Sequence, residues 1–320
     1  MRALAIYQMK LTGICSAMHL LVDGTCVCCL YLMASSFPAT QIIGLFITYN
    51  VLAFMTQPFT GMWADRLERK HWMLLASIML LTMAVLATSV FMAIKCHTVG
   101  MPVVAVLLGA GNSLFHVWGG KQVAIGTDND IRSLGMFVST GAFGLALGMV
   151  FFSWALLYLF LLALCLLSVA CLHYDKPTTS ASTIVGKFST SFVLLSVTGL
   201  MAAVLMRSYI GETFSTGLPK SNTMVLLIGT VSMLGKMVGG WMARWMGIVR
   251  ALVAVLLALA VCFFFKNHGT LVLLAALFAV NCTMPFTLYL ANVVLPGKEG
   301  LAFGLLAAAL IPGYLIAFCL

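Results

Sequence analysis

Long apolar stretches alternate with short polar ones along this chain. A helix needs about 20 mostly apolar residues to cross a bilayer, and by this rule the sequence predicts eleven spans. We place them near 11–34, 41–63, 72–95, 101–121, 133–151, 153–173, 192–213, 222–243, 248–265, 270–293 and 300–319. The apolar run 134–172 is too long for one span, so we divide it at Phe151 and Phe152. The pattern predicts an all-α polytopic membrane protein.

Composition supports the same class of protein. Of the 320 residues 62% are hydrophobic and 8% are charged, whereas a soluble domain carries about 25% charged residues. A net charge of +9 would suggest a nucleic-acid partner in a soluble protein, but here the basic residues collect in the predicted loops, so we expect the lipid bilayer and no nucleic acid. The sequence contains no catalytic triad or nucleotide-binding loop. We therefore expect neither an enzyme nor a cofactor, and we expect that ATP is not the driving force.

The positions of the basic residues predict the orientation of the chain. With the N-terminus inside, the cytoplasmic loops and ends hold twelve Lys and Arg residues and the outer loops hold three. Basic residues are enriched in cytoplasmic loops of membrane proteins. We therefore expect a multi-pass protein with a cytoplasmic N-terminus.

A long polar stretch divides the chain into two parts that repeat each other. We predict an N-terminal six-helix bundle over 1–173, a cytoplasmic linker over 174–191 and a C-terminal bundle of five helices over 192–320. The second span ends in GMWAD at 61–65 and the eighth in GWMAR at 240–244, while 130–144 is similar to 299–313. Such repeats indicate a transporter with its site between the halves, near the membrane centre.

The second half lacks a counterpart of span six, so the repeat predicts a twelfth helix that the chain does not contain. Two alternatives stay open at this point. The chain is a truncated form, or it functions with eleven helices.

A charged turn follows the second span. Five of the chain's 25 charged residues, 17 basic and 8 acidic, stand within six positions there: Asp65, Arg66, Glu68, Arg69 and Lys70. The turn resembles the loop motif of the major facilitator superfamily, whose matching positions here are Gly61, Asp65, Arg66, Arg69 and Lys70. Glu68 stands where that motif has a second glycine.

Other stretches are similar to the fosmidomycin-resistance branch of this superfamily, which contains bacterial inner-membrane efflux proteins. They are HLLVD at 19–23, QP at 57–58, GAGNSLFH at 109–116 and LPGK at 295–298. The resemblance implies the major facilitator fold, with two pseudo-repeat helical bundles. It also implies proton-coupled efflux of a small molecule or drug across the bacterial inner membrane.

The resemblance further implies that the charged turn is a cytoplasmic gate. A carboxylate at the C-terminal end of a helix is disfavoured by the helix dipole unless it meets cations or the N-terminus of another helix. On the family pattern, that neighbour of Asp65 is span eleven, which begins near Gly300. Anchoring by the positive-inside rule explains part of the basic residues in the turn but does not explain Asp65.

Three polar residues lie deep in the predicted spans of the first half. Asp23 is in the membrane region of span one, and His19 lies one helical turn before it. A charged group there is costly and usually faces a cavity or a partner, so we interpret both as a proton or substrate site. The alternative is a hydrogen bond between helices. His116 in span four is a further candidate, although a packed histidine bonded to a backbone carbonyl is an equal alternative.

Four more residues are candidates for substrate contact. Arg207 in span seven is positioned to attract an anionic group, and Glu212 follows it by five residues, too far round the helix for an ion pair. Lys236 in span eight corresponds by repeat to Gln57 in span two, and we expect both to line a cavity. The alternatives are an outer gate or an interface anchor for the first pair and a snorkelling side chain for Lys236.

A metal site is conceivable on His19, Asp23 and Cys26, which share one stripe of a helix. Thiols on apolar helices more often pack as small hydrophobes, and we expect no metal.

The sequence favours a monomeric, proton-coupled exporter that works by alternating access. One rival is an uptake carrier or facilitator for an organic anion, which would use Arg207 and Lys236. The other is a non-transporting membrane protein derived from a truncated carrier.

Overall fold

The computed structural model describes residues 2–36, 39–67, 71–95, 97–172 and 188–319. Within these residues all regular structure is helical, with one π-helical turn, Val51–Met55, between α2 and α3. The helices are α1 (Arg2–Ala34), α2 (Ala39–Asn50), α3 (Gln57–Arg66), α4 (Trp72–Ala93), α5 (His97–Gly126), α6 (Ile131–Val150), α7 (Trp154–Leu172), α8 (Thr190–Thr216), α9 (Asn222–Met246), α10 (Ile248–Phe264), α11 (Thr270–Cys282), α12 (Met284–Val294), α13 (Glu299–Ala308) and α14 (Leu310–Cys319).

The predicted spans are present in the predicted order. Ten helical segments of the described chain are long and apolar enough to cross a membrane, and α10 is a shorter apolar helix between the eighth and tenth spans. The division of the run 134–172 is confirmed, because α6 ends at Val150 and α7 begins at Trp154. The first span was predicted too short at its N-terminal end, since α1 continues through the polar residues before position 11.

Three spans are interrupted near their centres. The second consists of α2, the π-helical turn and α3, the tenth of α11 and α12, and the eleventh of α13 and α14. Pro58 and Pro285 stand in the first turns of α3 and α12, where a proline lacks the N–H that would continue the preceding helix. A cavity-lining residue stands beside each interruption: Gln57, Met284 and Leu310.

Two helix pairs join the halves. In the first half α1 packs against α6 and α7, and in the second α8 packs against α11 and α14. Between the halves α3 packs against α13, and α6 packs against α9. The sequence repeat matches span two to span eight and span five to span eleven. It therefore relates the α3–α13 pair to the α9–α6 pair.

Glycines allow both pairs to approach closely, and they occupy equivalent positions of the repeat. A Cβ atom on Gly61 would collide with the carbonyl of Gly300, and one on Gly240 would collide with the carbonyl of Ile131. Small residues permit such backbone contact between membrane helices. The two-part organisation with the bounds given above stays a prediction. The predicted linker lies outside the described residues at positions 174–187.

Candidate functional site

A cavity of about 180 Å³ lies between the halves. Its walls are mostly apolar, and both halves contribute to them. Six of the residues predicted as proton or substrate contacts line it: His19, Asp23, Gln57, His116, Arg207 and Lys236. Glu212, the seventh, is half-buried on α8 and does not line the cavity.

His19, Asp23 and His116 form a buried triad on the first-half wall of the cavity. The two imidazole Nε2 atoms are 2.8 Å apart. The Asp23 carboxylate lies 3.3 Å from each ring, with Oδ2 facing His19 Nε2 and Oδ1 facing His116 Nε2. Asn112 donates to Asp23 Oδ1 at 3.0 Å. The sequence predicts that His19 and Asp23 are neighbours on α1, and in the structure His116 from α5 lies beside them.

Hydrogen bonds at the opposite ring nitrogens determine which atoms in the triad carry protons. Nδ1 of His19 lies 2.7 Å from the Phe137 carbonyl, and Nδ1 of His116 lies 2.9 Å from the Asn112 carbonyl. A carbonyl oxygen only accepts, so both Nδ1 atoms must be donors. In a neutral ring Nε2 is then a lone-pair acceptor.

When both rings are neutral, Asn112 is therefore the donor at the centre of the triad, and neither the rings nor the ionised carboxylate supplies one. Two Nε2 lone pairs and a carboxylate converge there, and the 2.8 Å contact between the rings is a hydrogen bond only if one ring holds an added proton. Because the triad is buried, water does not screen the negative carboxylate. The arrangement is suited to taking up and releasing one proton.

Gly141 of α6 leaves room for the triad. A Cβ atom there would collide with Asp23 Oδ2 and with the His19 ring. The packing of α6 on α1 thus depends on a glycine at the point where the polar atoms converge.

The same atoms could in principle hold a metal ion. The imidazole and carboxylate ligand atoms of the triad lie within 4.8 Å of one another, and both groups bind divalent metals. The sequence pattern suggests Cys26 as the third ligand. In the structure the Cys26 sulfur accepts from Asn112 at 3.8 Å, and the third possible ligand of the cluster is His116. That the chain uses no metal stays a prediction.

The second half contributes two cations to the cavity, Arg207 from α8 and Lys236 from α9. Arg207 is 9% exposed, and its Nη1 has no hydrogen-bond partner. Neither cation forms an ion pair with a carboxylate in the described part of the chain. The cavity thus places unpaired positive charge opposite the triad.

Gln57 lines the cavity from the first half. It is fully buried, and its amide nitrogen donates to the Ala53 carbonyl at 2.7 Å. Its Oε1 atom has no partner.

A second polar site lies at the end of the bundle where α3 ends and α4 begins, which we call the loop side. Asp65 accepts from the backbone N–H of Gly300 at 2.9 Å and from that of Leu301 at 2.8 Å. Both belong to the first turn of α13, so the carboxylate meets a helix N-terminus, as predicted from the sequence. The contact joins the two halves on the loop side, next to the close approach of Gly61 and Gly300.

Solved structures with the same arrangement of helices come from membrane transporters. The E. coli fucose:proton symporter FucP has a TM-score of 0.66 at 14% identity, over 97% of this chain and 90% of that chain. A bacterial homologue of the iron transporter ferroportin in an outward-facing state has a TM-score of 0.61 at 15% identity, over 97% and 91%. The human organic anion transporter MFSD10 has a TM-score of 0.64 at 15% identity, over 97% and 92%.

The chain has the major facilitator fold. A second solved structure of FucP, in an outward conformation, is described as that of a major facilitator superfamily transporter. The sequence matches no protein-family profile and no curated protein. With ten long apolar helices among its described residues, the chain is a multi-pass membrane protein.

Of the five residues of the predicted gate, three lie within the described part of the chain. Arg66 is exposed at the end of α3. Arg69 and Lys70 lie outside the described residues. The described residues of the predicted gate are Gly61, Asp65 and Arg66.

The second half of the fold replaces the Asp65 contact with a different one. Arg244 stands at the repeat position of Asp65 and is exposed. The helix that it would approach, α6, is capped by its own Asp130, which accepts from the Arg132 N–H at 3.2 Å. The Arg132 guanidinium lies 5.3 Å from the ring centre of Trp241 on α9. Here a cation–π contact joins the halves.

Sequence reasoning missed three contributors to these sites. Asn112 lies one helical turn before His116, a spacing that offered a signal. Lys121 lies at the end of the predicted fourth span, and its Nζ donates to the Ala64 carbonyl at 2.7 Å and lies 3.4 Å from Asp65 Oδ1. No pattern in the sequence indicated the third contact, in which Asn292 donates to Asn129 Oδ1 across the halves at 2.8 Å.

Proposed function

We propose that the protein is a secondary transporter that couples the movement of a small molecule to protons by alternating access. The observation that carries the proposal is the donor-deficient centre of the triad, which faces a cavity between two repeated halves. A proton at that centre changes the charge of a wall that the transported molecule would touch. Proton occupancy and ligand occupancy are therefore linked.

The conformation described here serves as the state that is closed on the loop side. The Asp65 bonds to α13 and the glycine contacts join the halves there. Opening that side requires these contacts to break while the helix pairs rock about the cavity. Hydrogen bonds to charged groups contribute about 1.5–3 kcal/mol each, a scale on which ligand and proton binding can shift the balance.

Export in exchange for protons is our first candidate for the direction. It rests on the motif similarity to the fosmidomycin-resistance branch, which also suggests a bacterial inner membrane and a cytoplasmic N-terminus. In this mode a proton entering from outside weakens ligand binding. Ligand binding to the purified protein would then release protons.

Co-transport of an anion with protons is the second candidate, favoured by the unpaired Arg207 and Lys236. A proton on the triad adds positive charge to the same cavity, which strengthens binding of an anion. Ligand binding would then take protons up. The sign of the proton exchange in weakly buffered solution separates the two candidates.

Proteoliposomes with a trapped pH-sensitive dye test the coupling. We expect at least one compound in a panel of small acids, bases and neutral molecules to drive proton movement across the membrane. Asp23→Asn should abolish this response while the protein still inserts. Asp128→Asn is the matched control, because Asp128 is an exposed carboxylate outside the cavity. Equal proton movement by Asp23→Asn and the unchanged protein would contradict the proposal.

A further inference from the structure

We infer that the cavity binds a small organic anion that also carries a hydrogen-bond donor, through a two-point contact made by Arg207 and Gln57. The inference rests on the proposed transport function and names the class of molecule transported. It comes from the two buried polar atoms of the cavity wall that have no partner in the described protein, Arg207 Nη1 and Gln57 Oε1.

Arg207 supplies the anion contact. A buried guanidinium is costly unless it is paired, and Arg207 is 9% exposed with no ion pair to a described carboxylate. Arg207 lines the cavity, and its buried Nη1 has no partner. A ligand carboxylate or phosphate would provide the missing acceptors, since guanidinium geometry matches both.

Lys236 strengthens the preference for an anion. Of the charged side chains that line the cavity, Arg207 and Lys236 are cations and Asp23 is the acid. The Asp23 carboxylate already has Asn112 and two imidazoles as neighbours. The second-half wall therefore keeps unpaired positive charge, which a negative ligand group would balance.

Gln57 supplies the second contact. Its amide nitrogen is committed to the Ala53 carbonyl, whereas Oε1 is buried without a donor. An unsatisfied buried acceptor is unfavourable, and Gln57 lines the same cavity as Arg207. A hydroxyl or N–H group on the ligand would satisfy it.

The size and the apolar walls of the cavity limit what lies between these two groups. A cavity of about 150 Å³ holds one benzene molecule, and this one measures about 180 Å³. Phe54, Phe303 and Leu306 form part of its lining. A ligand with one ring or an equivalent apolar body, an anionic group and a donor fits this space.

Calorimetric binding of three probes to the purified full chain at neutral pH tests the inference. The probes are para-hydroxybenzoate, benzoate, which lacks the donor, and para-hydroxybenzamide, which lacks the charge. We expect para-hydroxybenzoate to bind about tenfold more tightly than either analogue, because each analogue leaves one buried group unpaired. If none of the three binds, or if the amide binds as tightly as the acid, the inference is wrong.

Two variants assign the contacts. Arg207→Gln should remove the preference for the acid over the amide, and Gln57→Leu should remove the preference for the hydroxylated acid over benzoate. Arg250→Gln, which removes an exposed cation on α10, should keep both preferences. If Arg207→Gln does not fold, Arg207→Lys should bind para-hydroxybenzoate more weakly and still prefer it to the amide. Retention of the acid preference by Arg207→Gln would overturn the assignment.

This experiment fails separately from the test of transport. Binding needs no pH gradient and no movement of the halves. Selective binding without proton movement would support the anion site and contradict the proposed coupling. Proton movement driven only by cations or neutral compounds would support the coupling and contradict the anion site.

Discussion

At the scale of single residues, the polar positions of the first half are organised by one meeting point of three helices. His19 and Asp23 come from α1, His116 from α5, and the carbonyl that orients His19 from Phe137 on α6. The sequence predicts that His19 and Asp23 share a helix face, because they are four residues apart. It does not show which face of α5 meets them, since that depends on helix packing. Asn112 was missed for this reason.

Helix geometry also separates Glu212 from Arg207. Five residues along an α-helix correspond to a rotation of about 140°, given 3.6 residues per turn. When Arg207 faces the cavity, Glu212 therefore points to a different side of α8.

Gly141→Ala should disrupt the triad. The added methyl group would occupy the position of Asp23 Oδ2 and the His19 ring, so we expect α6 to move and the proton response in proteoliposomes to fall at least tenfold, the effect of about 1.4 kcal/mol. Gly199→Ala on α8 is the matched control, because its methyl group would have no neighbour within 4 Å. Similar proton responses from both variants would show that the triad does not need the space at Gly141.

At the scale of helices, the loop-side contacts depend on the end of α3 and on the start of α6. Asp65 binds the start of α13, whereas the equivalent start of α6 has its own Asp130 cap. The sequence showed this asymmetry as Asp65 against Arg244, and the family pattern placed Asp65 near Gly300. The Asp130 cap, the Arg132–Trp241 contact and the role of Lys121 required the three-dimensional packing.

Asp65→Asn should loosen the start of α13. An amide oxygen replaces the carboxylate, so at most one neutral bond to Gly300 or Leu301 remains, and neutral bonds are weaker by about 1 kcal/mol or more. We expect peptides that cover 299–305 to exchange backbone hydrogen for deuterium several-fold faster. Peptides that cover the Asp130-capped start of α6 serve as the internal control. Unchanged exchange at α13 would show that Asp65 does not stabilise it.

Asn129 makes a second contact between the halves on the loop side, and two substitutions separate its contributions. It has a left-handed backbone, with φ of 57°, and accepts from Asn292. Asn129→Gly removes the hydrogen bond and keeps the backbone, and should lower stability by about 1 kcal/mol. Asn129→Ala adds the cost of a left-handed alanine, about 1–2 kcal/mol more. Thermal unfolding measures both, and equal effects would contradict the role of the backbone.

At the scale of the whole molecule, the order of the spans is the property that the sequence predicted best. Apolar lengths predicted this order, and the paired motifs at 61–65 and 240–244 are the basis of the predicted repeat. The fold then determines that spans two and eleven, and five and eight, face each other. The contacts among the polar residues of the cavity could not be predicted, since they depend on how the helices of both halves pack. In the described structure protonatable groups lie on one wall and unpaired cations on the other.

NMR of the histidine ring nitrogens tests the central claim most directly, namely that His19, Asp23 and His116 bind one proton as a unit. Interacting groups titrate together rather than independently. We predict that the signals of His19 and His116 change over the same pH range, with both Nδ1 atoms protonated throughout, and that Asp23→Asn shifts both transitions while Asp128→Asn shifts neither. Two independent transitions that Asp23→Asn leaves unchanged would contradict the account.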